Sequence, residues 1–273
     1  MRLARRFAGF VLVNVVLGLL LPACVSPEAA TELAPTLSLK SIGGSRVAFQ
    51  NGIPVPTFSY QPRRRLELGG RWRIQTTAMD HDLSLAVRSQ SLNRLIADAA
   101  GREKTAFDDT RWATVEVPGS YDPPPSPSGN GAWYRKDFDV SSDWQNQTVT
   151  LKFGAANYIA DVWLNGHYLG YHEGGSTPFA FDATDAIVAG DINTVAVRID
   201  NPPWGTRQDI VPWGLTDWWN YGGLTQPVWL EATPAVYAVR ADVVPHLDGA
   251  DIAVTVHQRG GAAAPVQVGI DIL

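Results

Sequence analysis

A chain of 273 residues that is 45% hydrophobic and 18% charged has the composition of an ordinary globular protein, which excludes disorder as its general state. Its formal net charge of -5, without clustered Lys and Arg, excludes nucleic acid as a partner, because that binding needs cations to replace phosphate counterions. A single cysteine, Cys24, excludes an internal disulfide.

Residues 1–24 read as an export signal. Arg2, Arg5 and Arg6 give a basic start, and 7–21 is an apolar run too short for a comfortable membrane span. The run ends in Leu21-Pro22-Ala23-Cys24, which resembles a lipobox. Cys24 is therefore expected to carry lipid and to anchor an exported chain to a membrane through its N-terminus alone; the plainer alternative is a buried lone cysteine. Residues 25–62, rich in Pro, Ser, Ala, Thr and Gly, are expected to be a tether.

From residue 63 to 234 short alternating segments dominate. They run through Trp72 and Ile74; Val115 and Val117; Tyr134 and Phe138; Val149, Leu151 and Phe153; Val162 and Leu164; Phe179 and Phe181; Val195, Val197 and Ile199; and Val228 and Leu230. Period two between turns predicts half-buried antiparallel strands, and many such strands without covering helices predict an all-β sandwich. Leu92, Leu95, Ile96 and Ala99 are spaced for a short surface helix. Asn165-Gly166 after an apolar run predicts a tight hairpin. Beyond 234, strands are expected over 236–244, 252–256 and 266–272. Their spacing suggests an immunoglobulin-like sandwich, of which three strands are too few, since that fold needs about seven. The 235–273 region is thus expected to be an incomplete domain in a truncated product.

Six motifs then bring a family into view. They are Leu68-Gly69-Gly70-Arg71-Trp72-Arg73; Trp112 with Val115, Val117, Pro118, Gly119 and Ser120; Trp133-Tyr134-Arg135-Lys136 with Phe138; Val162-Trp163-Leu164-Asn165-Gly166 with Gly170; Glu173-Gly174-Gly175 with Pro178, Phe179, Phe181 and Asp182; and Asp217-Trp218-Trp219-Asn220-Tyr221-Gly222-Gly223. In this order and spacing the chain resembles the N-terminal sugar-binding domain of glycoside hydrolase family 2, the β-galactosidase/β-glucuronidase family. The resemblance implies a jelly-roll-like, galactose-binding-like β-sandwich, an immunoglobulin-like domain and a barrel carrying the chemistry, with a homo-oligomer possible for the full-length enzyme. Gln226 stands where the family often has Arg.

Glycoside hydrolysis needs two carboxylates flanking the scissile bond. The family places two glutamates on its barrel, the acid/base one after an asparagine. None of Glu28, Glu32, Glu67, Glu103, Glu116, Glu173 and Glu231 follows an asparagine, so no catalytic residue is assigned. Asp217 resembles the aspartate that this domain extends into the active site. A carboxylate there can accept from two sugar hydroxyls, Trp218 and Trp219 can offer flat faces to the C–H side, and Asn220 can assist. The plainer alternative makes the aromatics core and Asp217 a turn cap. No metal or other cofactor is expected: His167, His172 and Glu173 lack a committed geometry. Asp108, Asp109 and the 80–82 stretch read as exposed turns, Asp182 and Asp185 as turn or capping residues, and no Gly-x-Ser-x-Gly elbow anchors a Ser-His-Asp triad. The expected function is the non-catalytic, sugar-binding part of a retaining β-glycosidase acting on terminal β-linked sugars. Alternatives are a free-standing tethered carbohydrate-binding protein or an inter-subunit module.

Overall fold

The computed structural model describes residues 37–56, 63–78, 95–121, 131–202, 220–260 and 265–269, with the backbone alone for 13–20. Cys24, Asp217, Trp218 and Trp219 lie outside the described residues. In chain order the strands are β1 Val13–Leu20, β2 Leu37–Ile42, β3 Ser45–Gln50, β4 Ile53–Pro54, β5 Arg64–Glu67 and β6 Gly70–Thr77. After helix α1 (95–99) come β7 Ala113–Val117, β8 Gly131–Asp139, β9 Thr148–Phe153, β10 Ile159–Leu164, β11 His167–Glu173 and β12 Phe179–Asp182. The last four are β13 Ile192–Asp200, β14 Val228–Thr233, β15 Val236–Pro245 and β16 Ala250–Arg259.

Two antiparallel sheets face each other, one in the order β11-β10-β13-β8-β6-β7 and the other β12-β9-β14-β5. This is the all-β sandwich that the alternation predicts. Every alternating pair sends its apolar residues inward: Trp72, Tyr134, Val162, Leu164, Val195, Val197 and Ile199 meet Leu151, Phe153, Phe179, Phe181, Val228 and Leu230 in one core. Phe153 and Phe179 stack at 4.6 Å, and Phe181 meets both edge-on. Each such side chain contributes roughly 1.5–3 kcal/mol by leaving water. The Asn165-Gly166 turn has φ of 51° and 83°, the positive pair that a two-residue hairpin requires.

The outer face of the six-stranded sheet is covered as well. Helix α1 lays Leu95 and Ala99 over Trp133, Trp163 and Ala196, with Trp112 and Phe107 beside them. The expected surface helix is thus a half-buried cover, with Ile96 turned to solvent. Beneath it, positions alternating with the core-facing ones carry charge: Arg135, Asp161, Arg198 and Asp200 are all buried. Arg198 Nε donates to Asp200 at 2.9 Å, its Nη1 pairs with Asp98, and Arg135 Nε donates to Asp109 at 2.8 Å. Asp109 is therefore not an exposed turn residue: it leaves its turn to meet a guanidinium that the sheet has buried. Asp108 does stay exposed, accepting from Thr110. Asp182 caps its turn through Thr184, and Asp182 and Asp185 both pair with Arg259.

The N-terminal segment departs from expectation too. Residues 37–56 form the β2-β3-β4 meander, which buries Val47 and Phe49. Its turn residue Asn51 donates to Ala180 O at 2.8 Å and Gln50 to Pro178 O at 3.1 Å. The tether reading failed here because only two inward apolar side chains mark the meander, while Leu37 and Leu39 face solvent. At the C-terminal end β15 and β16 form a hairpin, with β1 parallel along β16. The expected third strand is absent from the described part of 266–272. Val266 and Val268 instead rest against Ile252, Val254 and Val256 without strand pairing.

Replacing Arg198 by Met would leave the buried Asp200 carboxylate without its guanidinium and should cost about 3–5 kcal/mol. Urea unfolding would measure this against Arg71→Met, whose exposed pairing with Glu116 at 3.8 Å should leave the midpoint in place.

Candidate functional site

Register decides what meets at one end of the sandwich. Ile159 opposes Asp200 across β10 and β13, so Asn157, just before β10, comes beside Asn201, just after β13. The 220–224 segment crosses the same end. Asn157 and Gly223 exchange backbone hydrogen bonds at 2.8 and 3.0 Å. Gly119 N donates to Leu224 O, and Tyr121 N and Ser120 Oγ to Gly222 O. Only glycines admit this approach: a Cβ at Gly222 would stand 2.9 Å from the Tyr121 ring, and one at Gly223 (φ +146°) 2.6 Å from Gly119 O.

Three asparagines fasten this end. Asn157 Nδ2 donates to Asn220 Oδ1 at 2.7 Å and to Tyr221 O at 2.6 Å, with Asn201 Oδ1 further off at 3.4 Å. Asn201 Nδ2 donates to Asn220 O at 2.7 Å, and Asn220 Nδ2 to Pro202 O at 3.3 Å. From the other side the β11–β12 connection closes in. A Cβ at Gly175 would fall 2.1 Å from Asn157 Oδ1, so a larger residue there would push the Asn157 amide aside, and Gly174 N donates to Tyr158 O.

His172 lies beneath this connection, stacked on Phe179 at 4.3 Å, with Nε2 2.9 Å from Thr177 Oγ1. Burial holds its pKa down at about 4, so the ring is neutral at pH 7. His167 is exposed at the far end of the same strand. The two stand opposite Leu164 and Ala160 of β10, which four residues of strand separate by roughly 13 Å. No cluster of His, Cys, Asp or Glu among the described residues could hold a metal ion.

Of the four residues expected to meet sugar, the structure places Asn220, within this knot. Asn157 and Asn201, which hold it, were not singled out in the sequence. Their only signal is an asparagine at each mouth of a strongly apolar strand, at matching ends of two strands that pair.

The sandwich has known counterparts. Residues 67–234 match the family model described as glycosyl hydrolases family 2, sugar binding domain. The chain belongs to glycoside hydrolase family 2. A β-galactosidase from Thermoanaerobacter pseudethanolicus is 38% identical over 102 residues, 37% of this chain and 13% of that protein. A β-glucuronidase from Bacteroides fragilis is 34% identical over 124 residues, 41% of this chain and 17% of that protein. The chain thus spans a small part of the length of these relatives. The solved β-glucuronidase of Ruminococcus gnavus shares the fold at a TM-score of 0.57 and 23% identity, covering 75% of this chain and 35% of that one.

His172 sets an acid limit for this family 2 domain. Its folded pKa of about 4 lies below the ordinary histidine value of 6.5, so the unfolded chain takes up the proton first. The neutral ring's contribution is complete above about pH 6.5 and is lost as pH falls towards 4, to a total of roughly 3 kcal/mol. Chemical denaturation at pH 7 and pH 4.5 should show this loss in the native sequence and a smaller one in His172→Gln.

Proposed function

We propose that this chain is the N-terminal, non-catalytic sugar-binding part of a retaining β-glycosidase of the β-galactosidase/β-glucuronidase kind, acting on terminal β-linked sugars. The observation that carries the reading is the family match across 67–234, which spans every strand of the two-sheet sandwich from the end of β5 to β14. In this reading the two glutamates that break the glycosidic bond belong to a barrel beyond this chain, and the sandwich orients the sugar for them. The Asp217 carboxylate accepts from two neighbouring hydroxyls, which a charged acceptor does at about twice the strength of a neutral one. Trp218 and Trp219 present apolar faces to the sugar's C–H side. Asn220, after its bonds to Asn157 and Pro202, keeps one N–H and one lone pair for a hydroxyl. Export with lipid on Cys24 would hold the enzyme at a membrane surface, where its substrates arrive from outside.

Asp217→Ala in the full-length enzyme should lower kcat/KM by about 100-fold or more, since misorienting the reacting sugar costs on that order. Unchanged turnover of an aryl β-glycoside would remove Asp217 from the sugar site. An antibody against residues 63–234 should detect, in the membrane fraction, a product far larger than a 273-residue polypeptide. A band at the size of this chain would instead support a free-standing binding protein.

A further inference from the structure

The β15–β16 hairpin shares no apolar core with the sandwich. Among the described residues Ile252, Val254 and Val256 cluster by themselves, and no hairpin residue belongs to the sandwich core. Only Pro234 and Ala235 separate β14 from β15. Units joined so lightly are expected to move relative to one another. Three arginines at the base of the hairpin oppose that motion. Arg63, just before β5, donates through Nη2 to Ala238 O at 2.8 Å; its Nη1 stands 3.5 Å from Glu231 Oε2 on β14, and its guanidinium 5.3 Å from the centre of the Tyr237 ring. Arg240, on β15, is steadied by Asp242, to which its Nε donates at 2.7 Å, and donates through Nη1 to Val55 O of the meander at 3.2 Å. Arg259, the last residue of β16, pairs with Asp182 and Asp185 at the end of β12, and its backbone N–H donates to Ala235 O at 2.9 Å.

The three anchors lie on different parts of the sandwich. In their sheet β12 and β14 are two places apart, so roughly 10 Å separates the strand of Asp182 from that of Glu231, and the meander stands outside both. One contact leaves a pivot and two leave an axis; three that are not in line fix an orientation. Arginine suits each anchor because its planar fork of donors holds two partners at once. The surfaces between the anchors fit closely: where Val55, Thr150, Lys152, Glu231, Tyr237 and Val239 meet, a cavity of only 30 Å³ remains. The meander, which lies outside the residues that match the family model, thus supplies one wall of the joint.

We propose that Arg63, Arg240 and Arg259 lock the hairpin to the sandwich in one orientation, with the meander as the brace that Arg240 grips. The lock rests on these contacts alone. Its consequence for catalysis, a fixed angle between the sandwich and the rest of the enzyme, rests on the glycosidase reading above.

Pulsed electron spin resonance on the 273-residue chain reads the orientation directly. Cys24→Ser removes the sole cysteine, and spin labels are placed through Ile192→Cys on the sandwich and Leu247→Cys at the hairpin tip, both exposed positions. The distance distribution should be a single narrow peak. That peak should be lost to a broad spread when Arg63→Met and Arg240→Met are combined, and kept in Arg71→Met, whose partner Glu116 lies on β7 away from the joint. A broad spread in the parent chain, or an unchanged peak in the folded double variant, would overturn the lock. Should the double variant not fold by circular dichroism, Arg240→Met alone gives the same readout, since the bonds of Arg240 go to Val55 and Asp242 and to neither sheet of the sandwich. The distances involve no sugar, so failure of the lock and failure of the glycosidase reading are told apart.

Discussion

Burial of the six-stranded sheet on both faces is the constraint on which the rest of this structure depends. A sheet packed on one side can leave its other face polar and wet; here α1, Phe107 and Trp112 cover that face. The charged residues that alternate with the core positions must then find partners out of water. A buried charge deprived of its partner costs several kcal/mol, whereas a paired one is tolerated. That requirement draws Asp98 and Asp109 out of the connecting segment and onto Arg198 and Arg135. Burial works against the Arg198 charge, yet the Asp200 carboxylate, with Asp98 and Asp161, more than offsets it, and the pKa of this guanidinium is raised.

The same rule operates on the outer face of the four-stranded sheet, under the β2–β4 meander. Lys152 and Glu231 pair there at 2.6 Å, both half-covered or more, and Glu231 accepts from Trp229 Nε1 as well. Glu231 therefore has a structural occupation, holding Lys152 and Trp229 together. Both sheets are thus held from outside as well as inside. Their strand ends become fixed points, and β10 and β13, buried along nearly all their length, deliver Asn157 and Asn201 to the same place.

The sequence was most legible where one physical rule acted alone. Alternation placed Trp72, Tyr134, Val197 and Leu230 in the core because an inward face of a twisted sheet admits little else. Asn165-Gly166 placed its hairpin through backbone sterics. Legibility failed where two rules overlapped. In β11 the bulge that sets Gly170 opposite Val162 and Tyr168 opposite Trp163 breaks the period of two, and Gly170 is needed because a Cβ would stand 2.9 Å from Phe181. Asp109 read as a turn residue because nothing local announces that Arg135, 26 residues away, is buried on the covered face. Asn157 and Asn201 were invisible for the same reason: their meaning is a register, Ile159 against Asp200, which no window of sequence contains.

The contrast between the two kinds of polar network says what each is for. Under α1 the fold uses ion pairs, which tolerate a shift of a few tenths of an ångström because Coulomb attraction falls slowly with distance. At the sandwich end it uses amides, whose hydrogen bonds weaken steeply once length or angle departs from the optimum. A cover needs only to stay on, and long-range attraction suffices for that. Chain segments that must meet in one register at the strand mouths need bonds that fail when geometry is wrong. The division between charged pairs under the cover and amides at the strand mouths therefore follows from the work each end of the sandwich has to do.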